Sequence, residues 1–135
     1  MTERTRNKIG KIREYLSLII TLAPDCDHKF NKDPVYRGAL LHYLYLMADT
    51  CIAVAEQTIR LHSLRPPQSY YESFDILGKA GILEPDFAYS FAKIAGFRNF
   101  LAHDYEEVKA EIICREILNQ LEDIENFLRQ IEQSS

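Results

Sequence analysis

The chain has 135 residues, of which 47% are hydrophobic and 27% charged, and its net charge is −4. This composition is typical of a soluble globular protein and excludes a disordered or fibrous one. A chain of this length is predicted to form one domain, residues 1–135, with its own core. The pI near 5.6 does not favour extensive binding of nucleic acid, so any such contact would be local.

Neither a secretory signal nor a membrane span is predicted. The N-terminus leads directly into charged residues, and the most apolar stretch, residues 15–23, is too short to cross a bilayer. We therefore expect a cytoplasmic protein without membrane contact. The basic run of residues 4–13 is expected to be a solvated helix face.

The cysteines predict neither a disulfide nor a zinc site. Cys26, Cys51 and Cys114 are odd in number, and none belongs to a Cys-x-x-Cys pair. The expected state is reduced thiols in or near a helical core.

Two helices are predicted in the first half of the chain, because apolar residues recur there every three or four positions. The first ends at Pro24, and residues 24–33 are predicted to form a loop. Asp33 and Pro34 are of the types preferred at the N-cap and first turn of a second, long helix that stops at Pro66. Its stripe consists of Leu40, Leu44, Met47, Cys51, Val54, Thr58 and His62.

Three further helices are predicted in the second half. Ser69 and Glu72 have the spacing of a capping box and open a short helix that should end at Gly81. Glu84 begins the fourth helix, and the fifth covers the apolar series of residues 108–131. The predicted fold is all-α, an up-and-down bundle of four main helices and a shorter one.

The segment FRNFLAHDY, residues 97–105, stands out from ordinary helix packing. Arg98 and His103 are five residues apart, so on one continuous helix they would point about 140° apart. They can meet only if the helix ends near residue 102 or if a second chain completes the site across a two-fold axis. Both residues could instead merely cap the helix C-terminus.

A second pair with the same spacing, Arg37 and His42, lies inside the predicted long helix. The same divergence prevents these residues from converging on one ligand there. They are expected to be a solvated arginine and a histidine on a packed or half-exposed face.

The residues Arg98-Asn99-x3-His103-x-Tyr105 resemble the R-N-x3-H-x-Y signature of the HEPN superfamily. The order of helices and the segment PPQSYYESFDILGKAGIL are similar to its HepT-like toxins, which pair with a minimal nucleotidyltransferase antitoxin. The resemblance covers nearly the whole chain.

This resemblance implies a homodimeric, metal-independent endoribonuclease that needs no cofactor. Arg98 and His103 would be its catalytic pair, lining one cleft with their copies in the second chain. Asn99 would support substrate positioning, and Tyr105 would receive AMP from the cognate nucleotidyltransferase antitoxin, with which the dimer could form a larger hetero-oligomer. The alternatives are a non-catalytic helical binding module that partners a nucleotidyltransferase, and a purely structural dimerisation domain.

Histidine and arginine suit RNA cleavage. The 2′-hydroxyl of RNA is the nucleophile, so the enzyme must take one proton and donate another to the leaving 5′-oxygen, which histidine can do near neutral pH. Arginine can hold the phosphoryl oxygens. Asp25–His28 is the nearest approach to a metal site, although an acidic linker is expected there.

The sequence leaves two interpretations open for several further residues. Tyr43, Tyr45, Tyr70 and Tyr71 could stack on RNA bases, or they could pack in the core or a dimer interface. Asp49, in the middle of the long helix, could be functional or could pair locally.

Overall fold

A computed structural model describes residues 1–134, which form helices and no strand. The helices are α1 Glu3–Leu22, α2 Cys26–Lys29, α3 Pro34–Leu61, α4 Tyr70–Lys79, α5 Pro85–Phe91, α6 Lys93–His103 and α7 Glu122–Gln133. The all-α prediction is confirmed. The five predicted helices are present, two of them interrupted.

The predicted helix starts are confirmed by side-chain caps. The Asp33 carboxylate accepts hydrogen bonds from the backbone N–H groups of residues 35 and 36 and so opens α3. The Ser69 hydroxyl accepts from the N–H of Glu72 at the start of α4, while the Glu72 carboxylate accepts from the N–H of Gln68. Gly81 follows α4 with φ of 76°, a left-handed conformation that glycine adopts without steric cost.

Three predicted boundaries differ from the structure. Residues 24–33 are not simply a loop, since they contain a 3₁₀ turn and the short helix α2. The predicted fourth helix is divided at Ala92 into α5 and α6. The predicted fifth helix begins as a π-helical segment, Ile112–Ile117, and becomes regular only in α7. Apolar periodicity does not distinguish these helix types over a few residues.

Helix α3 lies at the centre of the bundle, where α1, α4 and α6 pack against it. Its predicted stripe is buried, except that His62 at its end is exposed. By length and composition alone α3 could cross a membrane, but half of its most apolar stretch is buried inside the protein. The apolar character of α3 is accounted for by this packing.

Arg13, in the basic run of α1, is not simply solvated as predicted. It donates hydrogen bonds to Glu125 and Glu132 of α7. The hydrogen bonds to Glu132 and Glu125 raise the pKa of Arg13, and the bond from Arg13 lowers the pKa of Glu132. These ion pairs join the first and last helices of the bundle.

The prediction of three reduced cysteines is wrong for two of them. Cys26, in α2, and Cys114, in the π-helical segment, form a disulfide with their Cα atoms 5.5 Å apart. The folded chain brings together residues 88 positions apart, which spacing in the sequence does not reveal. Cys51 is the free cysteine, and its complete burial raises the pKa of its thiol.

The disulfide is expected to stabilise the protein, because it limits the freedom of a long loop in the unfolded chain. Cys114→Ser should lower the free energy of unfolding by about 2–4 kcal/mol, measured by denaturant titration. Dithiothreitol should destabilise the parent similarly and leave Cys114→Ser unaffected. Equal stability of the parent with and without reductant would contradict this expectation.

Candidate active site

Arg98 lies on α6, and its side chain is held against α3 and α4. Its Nε donates a hydrogen bond of 2.9 Å to Oδ1 of Asp49, and its Nη2 donates one of 3.2 Å to the hydroxyl of Tyr45. The guanidinium also lies 5.4 Å from the ring centroid of Tyr45 and 5.3 Å from that of Tyr70. Such distances allow cation–π attraction. Contacts from two other helices therefore fix the position of Arg98.

The charge of Arg98 is stabilised where it lies. The side chain is only 18% exposed, and this partial burial on its own lowers the pKa. The hydrogen bond to Asp49 and the charges of Asp49, Tyr45 and Tyr70 outweigh burial, so the pKa of Arg98 is raised. Arg98 is consequently a permanent cation in a defined orientation.

Asn99 and the unused N–H groups of Arg98 define what the site can bind. Nη1 of Arg98 donates a hydrogen bond of 3.1 Å to Oδ1 of Asn99. A guanidinium has five N–H groups, and the contacts to Asp49, Tyr45 and Asn99 use three of them. Among residues 1–134, the second N–H of each terminal nitrogen has no hydrogen-bond partner, and guanidinium N–H groups suit the oxygens of a phosphate group.

His103 is not brought to Arg98 within one chain. Helix α6 continues through His103, and Asp104 is its C-cap, so the two side chains leave the helix about 140° apart. His103 is exposed and lies in a separate depression with residues 104–107, which include Glu106 and Glu107. The helix therefore does not end early enough for His103 to turn back toward Arg98 within one chain.

Tyr105 begins a short 3₁₀ turn after α6 and is 44% exposed. It lies at one side of an open groove of about 530 Å³ between α3 and α6. The groove, termed the α3–α6 groove, is lined by Gly38, Leu41, His42, Tyr45, Leu101, Ala102 and Tyr105. Tyr105 thus lies between this groove and the depression that contains His103.

The Arg37–His42 pair diverges along α3 as predicted. Arg37 is more than a solvated side chain, since its Nη1 donates a hydrogen bond of 2.8 Å to the carbonyl of Phe30 and closes the segment before α3. His42 is exposed and lines the α3–α6 groove.

The remaining candidate residues differ in whether they contact Arg98. Asp25–His28 belongs to α2 and the turn before it, and the described residues contain no group of His, Cys, Asp or Glu arranged to hold a metal ion. Tyr43 stacks on Tyr15, away from Arg98. Tyr45 and Tyr70, by contrast, contact the guanidinium.

Asp49 is the site residue whose role the sequence did not decide. It pairs with Arg98 across the α3–α6 contact. The available signal was a carboxylate in the middle of an otherwise apolar segment of the helix, because such a group usually has a polar or charged partner. The identity of that partner depends on how α3 and α6 pack.

The chain is similar in sequence to known proteins over most of its length. Residues 8–131 match the family described as Ribonuclease HepT-like. The chain is 28% identical to the mRNA nuclease HepT of Shewanella oneidensis over 122 residues, 90% of this chain and 91% of that one. It is 34% identical to the tRNA nuclease HepT of Aphanizomenon flos-aquae over 73 residues, 53% of this chain and 50% of that one.

A solved structure supports the same relationship. The tri-AMPylated HEPN toxin of Shewanella oneidensis, in complex with its MNT antitoxin, superposes with a TM-score of 0.88 at 27% identity. The match covers 98% of this chain and 99% of that toxin. The resemblance inferred from the signature of residues 98–105 is confirmed.

Asp49→Ala tests whether Asp49 holds Arg98 in place. We expect faster solvent exchange of the Arg98 Nε proton, followed by NMR, because that proton loses its acceptor. The free energy of unfolding should fall by at most about 1 kcal/mol, since Asp49 is half exposed. Asp75→Ala, which removes the partner of Lys79 on α4, is the matched control. Unchanged exchange in Asp49→Ala would refute the assignment.

Proposed function

The chain belongs to the ribonuclease HepT-like family, and on this basis we propose that it is the toxin of a toxin–antitoxin pair and a metal-independent endoribonuclease. Its active site consists of Arg98 and His103, supported by Asn99. A cognate nucleotidyltransferase antitoxin silences it by attaching AMP to Tyr105. The observation that carries this proposal is the fixed guanidinium of Arg98, two of whose N–H groups have no partner within residues 1–134.

The proposed reaction uses the RNA's own nucleophile. The 2′-oxygen attacks the adjacent phosphorus while the P–O5′ bond breaks, giving a 2′,3′-cyclic phosphate and a free 5′-hydroxyl. His103 exchanges protons with the reacting oxygens. Arg98 donates hydrogen bonds to the non-bridging oxygens as negative charge develops on them. Asn99 orients Arg98 through the bond from Nη1.

We further propose that the active form is a homodimer. Within one chain α6 directs Arg98 and His103 about 140° apart, so a second copy is needed to supply a partner for each. The large apolar side chain of Phe100 is 39% exposed and lies one helical turn from His103, on the same side of α6. This apolar surface beside His103 supports a contact between two chains there.

Tyr105 is placed where a modification would interfere with RNA. Its hydroxyl lies 3.6 Å from the position that a Cβ on Gly38 would occupy, so the phenol extends toward α3 within the α3–α6 groove. AMP attached there would add about one negative charge and a bulky nucleoside close to Arg98. Both effects oppose docking of an RNA phosphate.

We propose that the protein acts in the cytoplasm, where RNA and a nucleotidyltransferase partner are both available. The structure joins Cys26 and Cys114 in a disulfide. No residue of the proposed site belongs to this pair, so the proposed reaction does not depend on its oxidation.

Substitution of the catalytic pair tests the reaction. The purified, unmodified protein should cleave RNA in excess EDTA and leave 2′,3′-cyclic phosphate ends, detected by mass spectrometry. Arg98→Ala should lower the cleavage rate by about 10²–10³-fold and His103→Ala by about 10²–10⁴-fold, with the helical circular dichroism of both variants retained. Growth toxicity should be relieved in parallel.

Arg60→Ala and His62→Ala are the matched controls for these substitutions. Both residues are exposed, at the end of α3, roughly 20 Å along the helix from Asp49. Their cleavage rates should equal that of the parent. Undiminished cleavage in both Arg98→Ala and His103→Ala would overturn the site assignment.

Silencing is tested separately on Tyr105. After co-expression with a cognate nucleotidyltransferase, the peptide containing Tyr105 should carry one or more AMP groups by mass spectrometry. Tyr105→Phe should lose that mass increment and stay toxic in the presence of the antitoxin's enzymatic activity. An unmodified Tyr105 peptide, or a Tyr105→Phe variant silenced as fully as the parent, would refute this role.

A further inference from the structure

The α3–α6 groove is directly connected to Arg98 through Tyr45. The ring of Tyr45 lines the groove, while its hydroxyl accepts the hydrogen bond from Nη2 of Arg98. If Arg98 holds a phosphate of RNA, the nucleoside next to that phosphate would lie at the end of the groove formed by Tyr45. The groove is part of the surface along which an RNA strand at this site would run.

The chemistry of the groove suits a nucleobase. Its floor is apolar, formed by Gly38, Leu41, Leu101 and Ala102, and its edges carry the flat rings of His42, Tyr45 and Tyr105. Aromatic rings stack on unpaired bases, and imidazole and phenol groups can form hydrogen bonds with base edges. The ring of His42 is itself supported by Tyr43, with the two centroids 5.8 Å apart.

The distribution of charge favours an RNA strand in the α3–α6 groove over one in the depression on the other side of Tyr105. No carboxylate lines the α3–α6 groove, whereas the depression around His103 contains Asp104, Glu106 and Glu107. In a protein of net charge −4, a polyanion would avoid that acidic depression except at the reacting phosphate itself. An RNA strand that leaves Arg98 is thus directed along α3.

We propose that the α3–α6 groove is a base-binding subsite of the proposed nuclease, and that His42 is its specificity-determining residue. One unpaired base of the RNA substrate, next to the cleaved phosphate, stacks on His42 and Tyr45. This assignment rests on the proposed function and adds to it a residue outside the signature of residues 98–105. It also gives silencing a physical basis, because an adenylate on Tyr105 would compete for the same groove.

The test compares His42→Ala with His42→Phe, which retains a flat ring, and with the control His62→Ala. Short RNAs that contain each of the four bases next to the cleaved bond are used as substrates in EDTA. His42→Ala should raise KM at least about fivefold, the effect of losing one base–aromatic stack, with kcat little changed. Its preference among the four bases should also weaken. His42→Phe should restore KM, and His62→Ala should behave as the parent.

Binding is measured independently of cleavage, by fluorescence anisotropy with 2′-fluoro RNA, which lacks the nucleophilic hydroxyl. His42→Ala should raise Kd by a similar factor. Equal Kd, KM and base preference in His42→Ala and the parent would overturn the subsite and leave the nuclease intact. A parent that binds this RNA but cleaves none would overturn the proposed function, while the His42 effect on Kd would still test the subsite. A parent that binds no RNA would overturn both.

Discussion

The packing of α6 on α3 determines the position of Arg98, the fixed cation of the candidate site. Helix α3 packs against α1, α4 and α6 and also carries partly exposed polar side chains. Asp49 and Tyr45 are two of them, and both bond to Arg98 of α6. The contact that joins α6 to α3 is therefore also the one that orients the guanidinium.

Most of the fold could be predicted from local rules. Asp33 and Ser69 act as N-caps at the predicted positions, and the stripe of α3 is buried because its period matches a helix. The division at Ala92 and the π-helical start of the last helix were not predictable in this way, since both depend on how neighbouring helices pack. The disulfide of Cys26 and Cys114 was missed for the same reason.

The candidate site, like the fold, could be predicted only in part from the sequence. Arg98, Asn99, His103 and Tyr105 were selected as candidates because they belong to one short segment with a family signature. Asp49, Tyr45 and Tyr70 lie 28–53 positions from Arg98 in the sequence, and only the packing of three helices brings them to it. His42 was set aside on helical geometry, which correctly separated it from Arg37. That geometry did not reveal its place in a groove shared with Tyr105.

An acidic protein can act on RNA if its cationic group is local and fixed. On the proposed function, Arg98 would meet that requirement, because Asp49 orients it and two of its N–H groups have no partner within residues 1–134. The acidic residues near His103 would repel a polyanion, whereas no carboxylate lines the α3–α6 groove. An RNA strand at Arg98 would therefore run along that groove. Tyr105, between the two, is a position from which one modification would affect both.

The central claim is that Arg98 of one chain acts with His103 of the other. A mixed dimer of Arg98→Ala and His103→Ala chains, purified through two different affinity tags, tests it directly in an RNA cleavage assay. If the pair forms between chains, one of the two sites keeps both residues, and the mixed dimer should recover about half of the parent's activity. A mixed dimer as inactive as either variant alone would contradict the account.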